Sequence, residues 1–171
     1  MRVTIGHVTA RVPSPSHHLL LACVHALRHG AFRPLWLCDI AMMLERYVLD
    51  WRQLGRSEHQ RQAVRCAVGL ARELVGATSV GRVSAAPRWA ATAVLEAWGA
   101  PPLPGDPLMS YLRRPRELPG ALRARWPDPL TATMRRGAPF DGRCRLAVQL
   151  EDCLVRGAAL CRRVVRRGLG G

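Results

Sequence analysis

Three histidines on one predicted helix are the residues of this chain best suited to chemistry. His18, His25 and His29 stand at i, i+7 and i+11, so they share one helix face. His25 and His29 have the H-x-x-x-H spacing that helical zinc ligands use. A zinc protease would carry Glu where this chain has Ala26, so that general base is missing. Histidines of this kind are more often satisfied by hydrogen bonds than by metals, and this interpretation is favoured over a zinc site.

Asp39 is the carboxylate closest in sequence to these histidines. It stands among apolar residues of the next predicted helix, where we expect it to be buried. A buried carboxylate needs an ionic or hydrogen-bonding partner, and Arg28, Arg33 and the histidines are the candidates. The favoured interpretation is a structural ion pair between Arg28 and Asp39 that joins two helices. The alternatives are a cluster that orients a nucleotide phosphate or a metal-bound water, and a structural metal site completed by Cys38 or Asp39.

The other catalytic patterns are absent from the sequence. It contains no P-loop, no G-x-G-x-x-G after a strand, no nucleophile elbow and no D-x-D pair. Glu151 and Asp152 are adjacent, so on a helix they point about 100° apart and do not easily share one metal ion. We therefore assign no catalytic residue and no metal ligand.

The chain is strongly basic, with a formal net charge of +14. Such a charge favours nucleic acid, polyphosphate or anionic membrane as a partner. However, all 26 basic residues are Arg, which together with abundant Ala, Gly and Pro is typical of a GC-rich genome. The arginines are also spread from Arg2 to Arg167, whereas a dedicated binding face would more often show clusters of arginine with aromatic residues between them. Nucleic acid is therefore the less favoured partner.

The cysteines and the N-terminal segment bear on the compartment. No C-x-x-C pair occurs, and most of the six cysteines lie in apolar helical patterns, so we expect reduced core thiols rather than disulfides. No signal-peptide layout is visible, and the apolar run at residues 19–24 is too short to span a bilayer. These observations predict a cytoplasmic protein without a transmembrane segment. The cysteines are Cys23, Cys38, Cys66, Cys144, Cys153 and Cys161.

The predicted fold is mainly α, a bundle of about five helices preceded by a short strand or hairpin. Residues 2–12 alternate apolar and polar side chains, as a half-buried strand does, and such a strand must pair with a sheet or pack on helices. Helices are predicted from Ser14 or Ser16 to Gly30, over 35–49, over 58–75 behind a Ser57–Gln60 capping box, over 87–99 and over 143–167. The apolar stripe of the second helix comprises Trp36, Ile40, Met43, Leu44 and Tyr47.

Four segments divide the chain. Residues 1–13 form the strand segment, 14–99 the bundle, 100–142 a Pro-rich stretch of irregular chain and short helices, and 143–171 a basic amphipathic helix. We expect the apolar face of the last helix to pack on the bundle, with an anionic membrane as the less favoured use. That face comprises Leu146, Leu150, Cys153, Leu154, Cys161, Val164 and Val165.

Residues 14–51, SPSHHLLLACVHALRHGAFRPLWLCDIAMMLERYVLDW, resemble the bacterial uncharacterised nucleotidyltransferase family. In that family a strand leads to a Ser-Pro helix start, a helix with two histidines, a basic turn with Trp, an Asp-Ile-Ala segment and a later Asp-Trp. Residues 70–77 are similar to its third helix, and residues 125–129 and 137–140 are similar to tail segments of some members. The matching positions here are Ser14, Pro15, His25, His29, Arg33, Trp36, Asp39, Ile40, Ala41, Asp50 and Trp51.

The resemblance implies a polymerase-β-like fold in which a Gly-Ser turn and paired acids hold Mg²⁺ and transfer a nucleotidyl group from a nucleoside triphosphate. This sequence has neither motif. We therefore expect the C-terminal helical part of such a protein, inactive alone, with residues 1–13 as the remnant edge of an α/β catalytic domain. A mis-called start, a split gene or a remnant would each explain this, and an upstream-encoded catalytic domain is the expected partner.

Within this resemblance, His25, His29, Arg33 and Asp39 are the residues expected to line the site. The alternative function is a non-enzymatic basic adaptor that binds nucleic acid or an acidic protein through residues 143–167.

Overall fold

A computed structural model describes residues 2–78, 84–100, 111 and 114–168. The described chain is mainly helical and begins with a short antiparallel hairpin, which confirms the predicted fold class. Most of residues 101–113, part of the predicted Pro-rich segment, lie outside the described residues. In chain order the elements are β1 (Arg2–Ile5), β2 (Val8–Arg11), α1 (Pro15–Arg28), α2 (Pro34–Arg46), a 3₁₀ helix (Trp51–Gln53), α3 (Glu58–Val75), α4 (Arg88–Gly99), α5 (Leu118–Ala124), α6 (Pro129–Arg136) and α7 (Arg145–Gly168).

The first two strands form a hairpin whose side chains are almost all exposed. The register pairs Val3 with Ala10 and Ile5 with Val8 across a two-residue turn. Gly6 occupies the left-handed region at φ 60°, which such a tight turn requires. Within the described residues the hairpin has no extensive contact with any helix. Neither edge of this small sheet is therefore covered by the bundle.

The first three helices form most of the core, and several of their ends follow local sequence signals. The Ser14 hydroxyl accepts the His17 N–H at the start of α1. Ser57 and Gln60 form the predicted capping box of α3, and Gly76 ends that helix in the left-handed conformation. Most of its buried side chains come from facing stripes of these three helices, among them Leu19, Cys23 and Leu27 of α1, Leu37, Ile40 and Leu44 of α2, and Ala63, Ala67 and Leu70 of α3. Val94 of α4 and Leu130 of α6 belong to the same core.

The second helix ends earlier than its apolar pattern predicts. It stops at Arg46, and Tyr47 is exposed, so the prediction that Tyr47 belongs to the buried stripe is wrong. The chain then turns back towards α1, where the buried Ser16 hydroxyl accepts the Asp50 N–H at 2.8 Å. Asp50 caps the 3₁₀ helix by accepting the Arg52 N–H. The connection to α1 ends the helix before the hydrophobic spacing does.

The last helix packs on α6 with the face opposite to the predicted one. Val148 and Asp152 are buried, whereas Leu146, Leu150 and Leu154 are exposed. The expectation that this leucine face packs on the bundle is therefore wrong for its described residues. The side chains of Cys161, Val164 and Val165 lie outside the described residues.

In the described part of the chain, no helix is both long and apolar enough to cross a membrane.

Candidate functional site

A shallow groove of about 390 Å³ lies between α1 and α2. It brings together the predicted residues His25 and Asp39 with His18, the third histidine of the helix face. Trp36 forms much of its apolar wall. The complete lining is His18, Leu21, Ala22, His25, Trp36 and Asp39.

His25 and His29 pack against Trp36 rather than standing apart as free ligands. The His25 and His29 ring centroids are 4.7 Å apart, and those of His25 and Trp36 are 4.9 Å apart in an edge-to-face arrangement. The His29 ring lies 5.7 Å from Trp36. Aromatic pairs at such separations attract each other beyond simple burial. The two histidines are exposed and the indole is half-buried, so this cluster offers both polar nitrogens and a flat apolar surface.

Arg33 completes the aromatic cluster from the other side. Its guanidinium carbon is 5.3 Å from the Phe32 ring centroid and 5.7 Å from the Trp36 ring centroid. Phe32 itself meets Trp36 edge to face at 5.0 Å. A guanidinium over an aromatic face is held by the ring quadrupole while its N–H groups stay available. Arg33 therefore presents a positive charge at the start of α2, beside His29.

The prediction that Asp39 is buried, made from its apolar neighbours, is wrong. This residue is exposed, because its position on α2 points away from the buried Leu37 and Ile40. Among the ion pairs of the described residues, none joins Arg28 to Asp39. An exposed carboxylate is solvated by water and needs no such partner, which removes the reason for the predicted pair. Asp39 instead contributes the negative charge of the groove.

The turn before Phe32 and Arg33 contains two residues with positive φ angles. Gly30 has φ 69° and the buried Ala31 has φ 48°, a conformation that non-glycine residues rarely adopt. The Trp98 indole N–H donates to the Ala31 carbonyl at 2.9 Å. A side chain at Gly30 would approach within 2.7 Å of the Asp128 carboxylate. Trp98 of α4 and Asp128, which caps α6, thus contact the turn and restrict its conformation. The position of the aromatic cluster is restricted with it.

Magnesium does not fit this groove. Mg²⁺ is held by carboxylate and other oxygen ligands, and Asp39 is the only carboxylate of the lining. No group of three or more His, Cys, Asp or Glu side chains suited to a metal ion occurs among the residues that the structure describes. The predicted alternative of a zinc site completed by Cys38 or Asp39 thus gains no support from the geometry. The groove can present an aromatic surface, imidazole nitrogens and one negative charge. The predicted residues His29 and Arg33 contact the Trp36 ring but are not among the lining residues of the groove.

Sequence reasoning missed a second cluster of charges, between α6 and α7. Asp152 is buried, and its carboxylate oxygens lie 3.5 Å from Arg135, 3.6 Å from Arg136 and 3.7 Å from Arg156. The Oδ1 of Asp152 and the Nε of Arg136 are buried without a hydrogen-bond partner. The signal in the sequence was Asp152, four residues before Arg156 in an arginine-rich helix. The same spacing is also found in solvated ion pairs on the surface of a helix.

Together, fold and site define a helical protein with a histidine–tryptophan groove between its first two helices. Residues 1–78 match the model of a protein family described as Uncharacterised nucleotidyltransferase. This match supports a nucleotidyltransferase-like family, and the matched segment contains the hairpin, α1, α2 and α3, hence the whole groove. The tail segments 125–129 and 137–140 lie outside it. Comparison with curated proteins gave no match, and neither did comparison with solved structures.

Proposed function

We propose that this chain is the helical part of a nucleotidyltransferase-like enzyme, inactive alone and completed by a partner domain that supplies the magnesium-binding acids. The observation that carries the proposal is the family match over residues 1–78, because His25, His29, Arg33 and Asp39 all lie within it. The proposed location is the cytoplasm, where nucleoside triphosphates are abundant.

The composition of the groove supports a binding and positioning role. Transfer of a nucleotidyl group requires metal-bound carboxylates near the triphosphate, and this lining has only Asp39. Arg33 is exposed and held over two aromatic rings, so it can meet a phosphate or carboxylate without reorganising. His25 and Trp36 offer a polar and a flat surface beside it. We infer that the groove contributes an aromatic and polar lining, and the neighbouring Arg33 a positive charge, to a centre whose Mg²⁺ and nucleotide are held by the partner.

The hairpin is the second support, since it is the part of the described chain best suited to join a sheet. A two-stranded hairpin alone is at best marginally stable in water. This one exposes Ile5 and Val8 and leaves both edges uncovered by the helices. Pairing with the sheet of a catalytic domain would satisfy its backbone groups and cover these side chains.

The activity of the chain alone tests the first half of the proposal. Purified chain, nucleoside triphosphates and Mg²⁺ are expected to release no pyrophosphate above a heat-denatured control. Steady pyrophosphate release that is lost in Asp39→Asn would contradict the proposal, because the groove would then hold the metal itself. The Glu58→Gln variant, an exposed carboxylate on α3, is the matched control.

The stability of hairpin variants tests the second half. Ile5→Ser/Val8→Ser is expected to change the free energy of unfolding by less than about 0.5 kcal/mol, because these side chains do not contribute to the core. Val64→Ser, a buried position of α3, is the contrasting control and is expected to cost roughly 1–3 kcal/mol. Chemical denaturation followed by circular dichroism measures both. A loss in the hairpin variant as large as that in the core variant would show that the hairpin serves the bundle instead of a partner.

A further inference from the structure

Helix α7 exposes a row of leucines that the other described residues do not cover. Leu146, Leu150 and Leu154 are 55%, 46% and 74% exposed and recur every four residues, so they lie on one face. Val148 and Asp152 lie two residues from these leucines and are buried against α6. Two residues correspond to about 200° around a helix, so the leucine row points away from the bundle. We call Leu146, Leu150 and Leu154 the leucine row.

The charges of this helix are unbalanced in favour of arginine. Six residues of α7 are Arg and two are acidic. Both acids are already paired, Glu151 with Arg143 at 3.4 Å and Asp152 with three arginines. The part of the helix after Asp152 contains no acid. Whatever covers the leucine row therefore meets a positive helix.

We propose that α7 binds peripherally to the surface of an anionic lipid bilayer, with the leucine row inserted among the lipids and the arginines at the headgroups. An amphipathic helix with an apolar row on one side and many arginines on the other is typical of helices that lie in the bilayer interface, and the helical spacing of α7 gives this arrangement. Charge complementarity disfavours a second copy of this chain, because two arginine-rich helices would then face each other in a molecule of net charge +14. The exposed leucines distinguish this face from a nucleic-acid site, because binding to phosphates would gain nothing from them.

The surroundings of the leucine row suit the same orientation. The Gln149 side-chain amide donates to the Pro127 carbonyl at 2.7 Å, which holds the start of α7 beside the turn that carries Trp126. Trp126, the neighbour of Pro127 in the chain, is exposed, and so is Leu122 of α5. Tryptophan favours the bilayer interface because its ring is apolar and its N–H is polar. α7 can thus reach a lipid surface without leaving α6.

Vesicle binding of the full chain tests the proposal. We expect the protein to sediment with vesicles of equal parts phosphatidylcholine and phosphatidylglycerol, and not with phosphatidylcholine alone. Leu150→Ser/Leu154→Ser should weaken the partition coefficient about tenfold or more, since each inserted leucine contributes to partitioning. Leu35→Ser/Leu95→Ser removes two leucines of similar exposure from α2 and α4 and should bind as the wild type does.

Three results would overturn the proposal. The first is no sedimentation with the anionic vesicles at low salt. The second is equal binding by Leu150→Ser/Leu154→Ser and the wild type, which would show attraction through charge only, as expected for nucleic acid or an acidic protein. The third is a dimer in size-exclusion chromatography that becomes monomeric in this variant, which would assign the leucine row to a second copy.

Discussion

The environments of the cysteine side chains differ enough to govern their reactivity. Cys23 and Cys66 are buried, whereas Cys38 and Cys144 are exposed, so the expectation of core thiols holds for only part of the set. Burial raises the pKa of Cys23 strongly and that of Cys66 to about 12. Hydrogen bonds from the backbone N–H groups of Ala147 and Leu146 lower the pKa of the Cys144 thiol. The thiolate is the reactive species, so reactivity should follow these directions.

We therefore predict selective alkylation of the folded protein. At neutral pH, iodoacetamide should modify Cys144 and Cys38 well before Cys23 and Cys66, and all four should react after unfolding in guanidinium chloride. Peptide mass mapping at successive times measures this order. Modification of Cys23 in the folded protein as fast as of Cys144 would contradict the described core.

Asp128 links stability to pH. Burial raises the pKa of its carboxyl, although the hydrogen bonds that it accepts from Thr131 and Leu130 act in the opposite direction. A raised pKa means that the folded state keeps this proton at a pH where the unfolded chain has lost it. The contribution of Asp128 to stability is thus fully present below about pH 4, the usual Asp pKa, and is lost as the pH rises through the raised value.

Asp128→Asn should remove this part of the pH dependence while keeping the N-cap of α6, because Asn caps about as well as Asp. Relative to wild type, the variant should become more stable as the pH rises from about 4 towards neutral. Chemical denaturation at several pH values measures the difference. Asp50→Asn, at an exposed cap, controls for the substitution itself, and a pH-independent difference for Asp128→Asn would refute the assignment.

At the scale of elements, two helical glycines differ in how closely other parts of the chain approach them. Gly69 of α3 faces the chain that leads into α4, and a side chain there would lie 2.5 Å from the Ala86 backbone nitrogen. Gly120 of α5 is also helical but has open space around it. The same substitution should thus have opposite effects at the two sites.

Gly69→Ala is expected to destabilise the protein by roughly 1–3 kcal/mol, because backbone must shift to admit the methyl group. Gly120→Ala is expected to stabilise it by up to about 1 kcal/mol through the higher helix propensity of Ala. Thermal unfolding of both variants checks this prediction. Equal effects would mean that α3 and the Ala86 segment are not in close contact.

Several helix ends could be predicted from the sequence, but the end of α2 could not. The Ser14 cap, the Ser57–Gln60 box and the Gly76 stop are local signals, and each holds in the structure. The hydrogen bond from Asp50 to Ser16, which accompanies the early end of α2, joins residues far apart in sequence. Local signals fix local geometry, but a contact between distant residues can override them.

For the whole molecule, one buried carboxylate lies where α7 packs on α6. Asp152 is only 1% exposed and is surrounded by Arg135, Arg136 and Arg156. Removing the negative charge would leave the half-buried Arg136 without a counter-ion, which is costly in a buried setting. We therefore expect the Asp152 ion pairs to stabilise the packing of this face of α7 on α6.

We predict that Asp152→Asn lowers the free energy of unfolding by roughly 1–3 kcal/mol and exposes the amides of α7 to exchange. Glu151→Gln breaks the exposed pair with Arg143 and is expected to change stability by less than about 0.5 kcal/mol. Denaturation and hydrogen exchange measure both effects. If Asp152→Asn behaves as Glu151→Gln does, the buried cluster does not hold α7.

The sequence by itself determined a strand or hairpin at the start of the chain, five helices, and the cap and stop of α3, because these depend on the periodicity and capping chemistry of neighbouring residues. It predicted only unspecified short helices where α5 and α6 lie. It also placed His18, His25 and His29 on one face of α1, since helix geometry fixes that spacing. Only the tertiary structure decided that Trp36 and Arg33 join His25 and His29, that Asp39 is exposed, and that α7 turns its leucine row outwards. Those outcomes depend on how helices rotate against one another, and hydrophobic patterning alone cannot fix that rotation when a buried ion pair such as that of Asp152 opposes it.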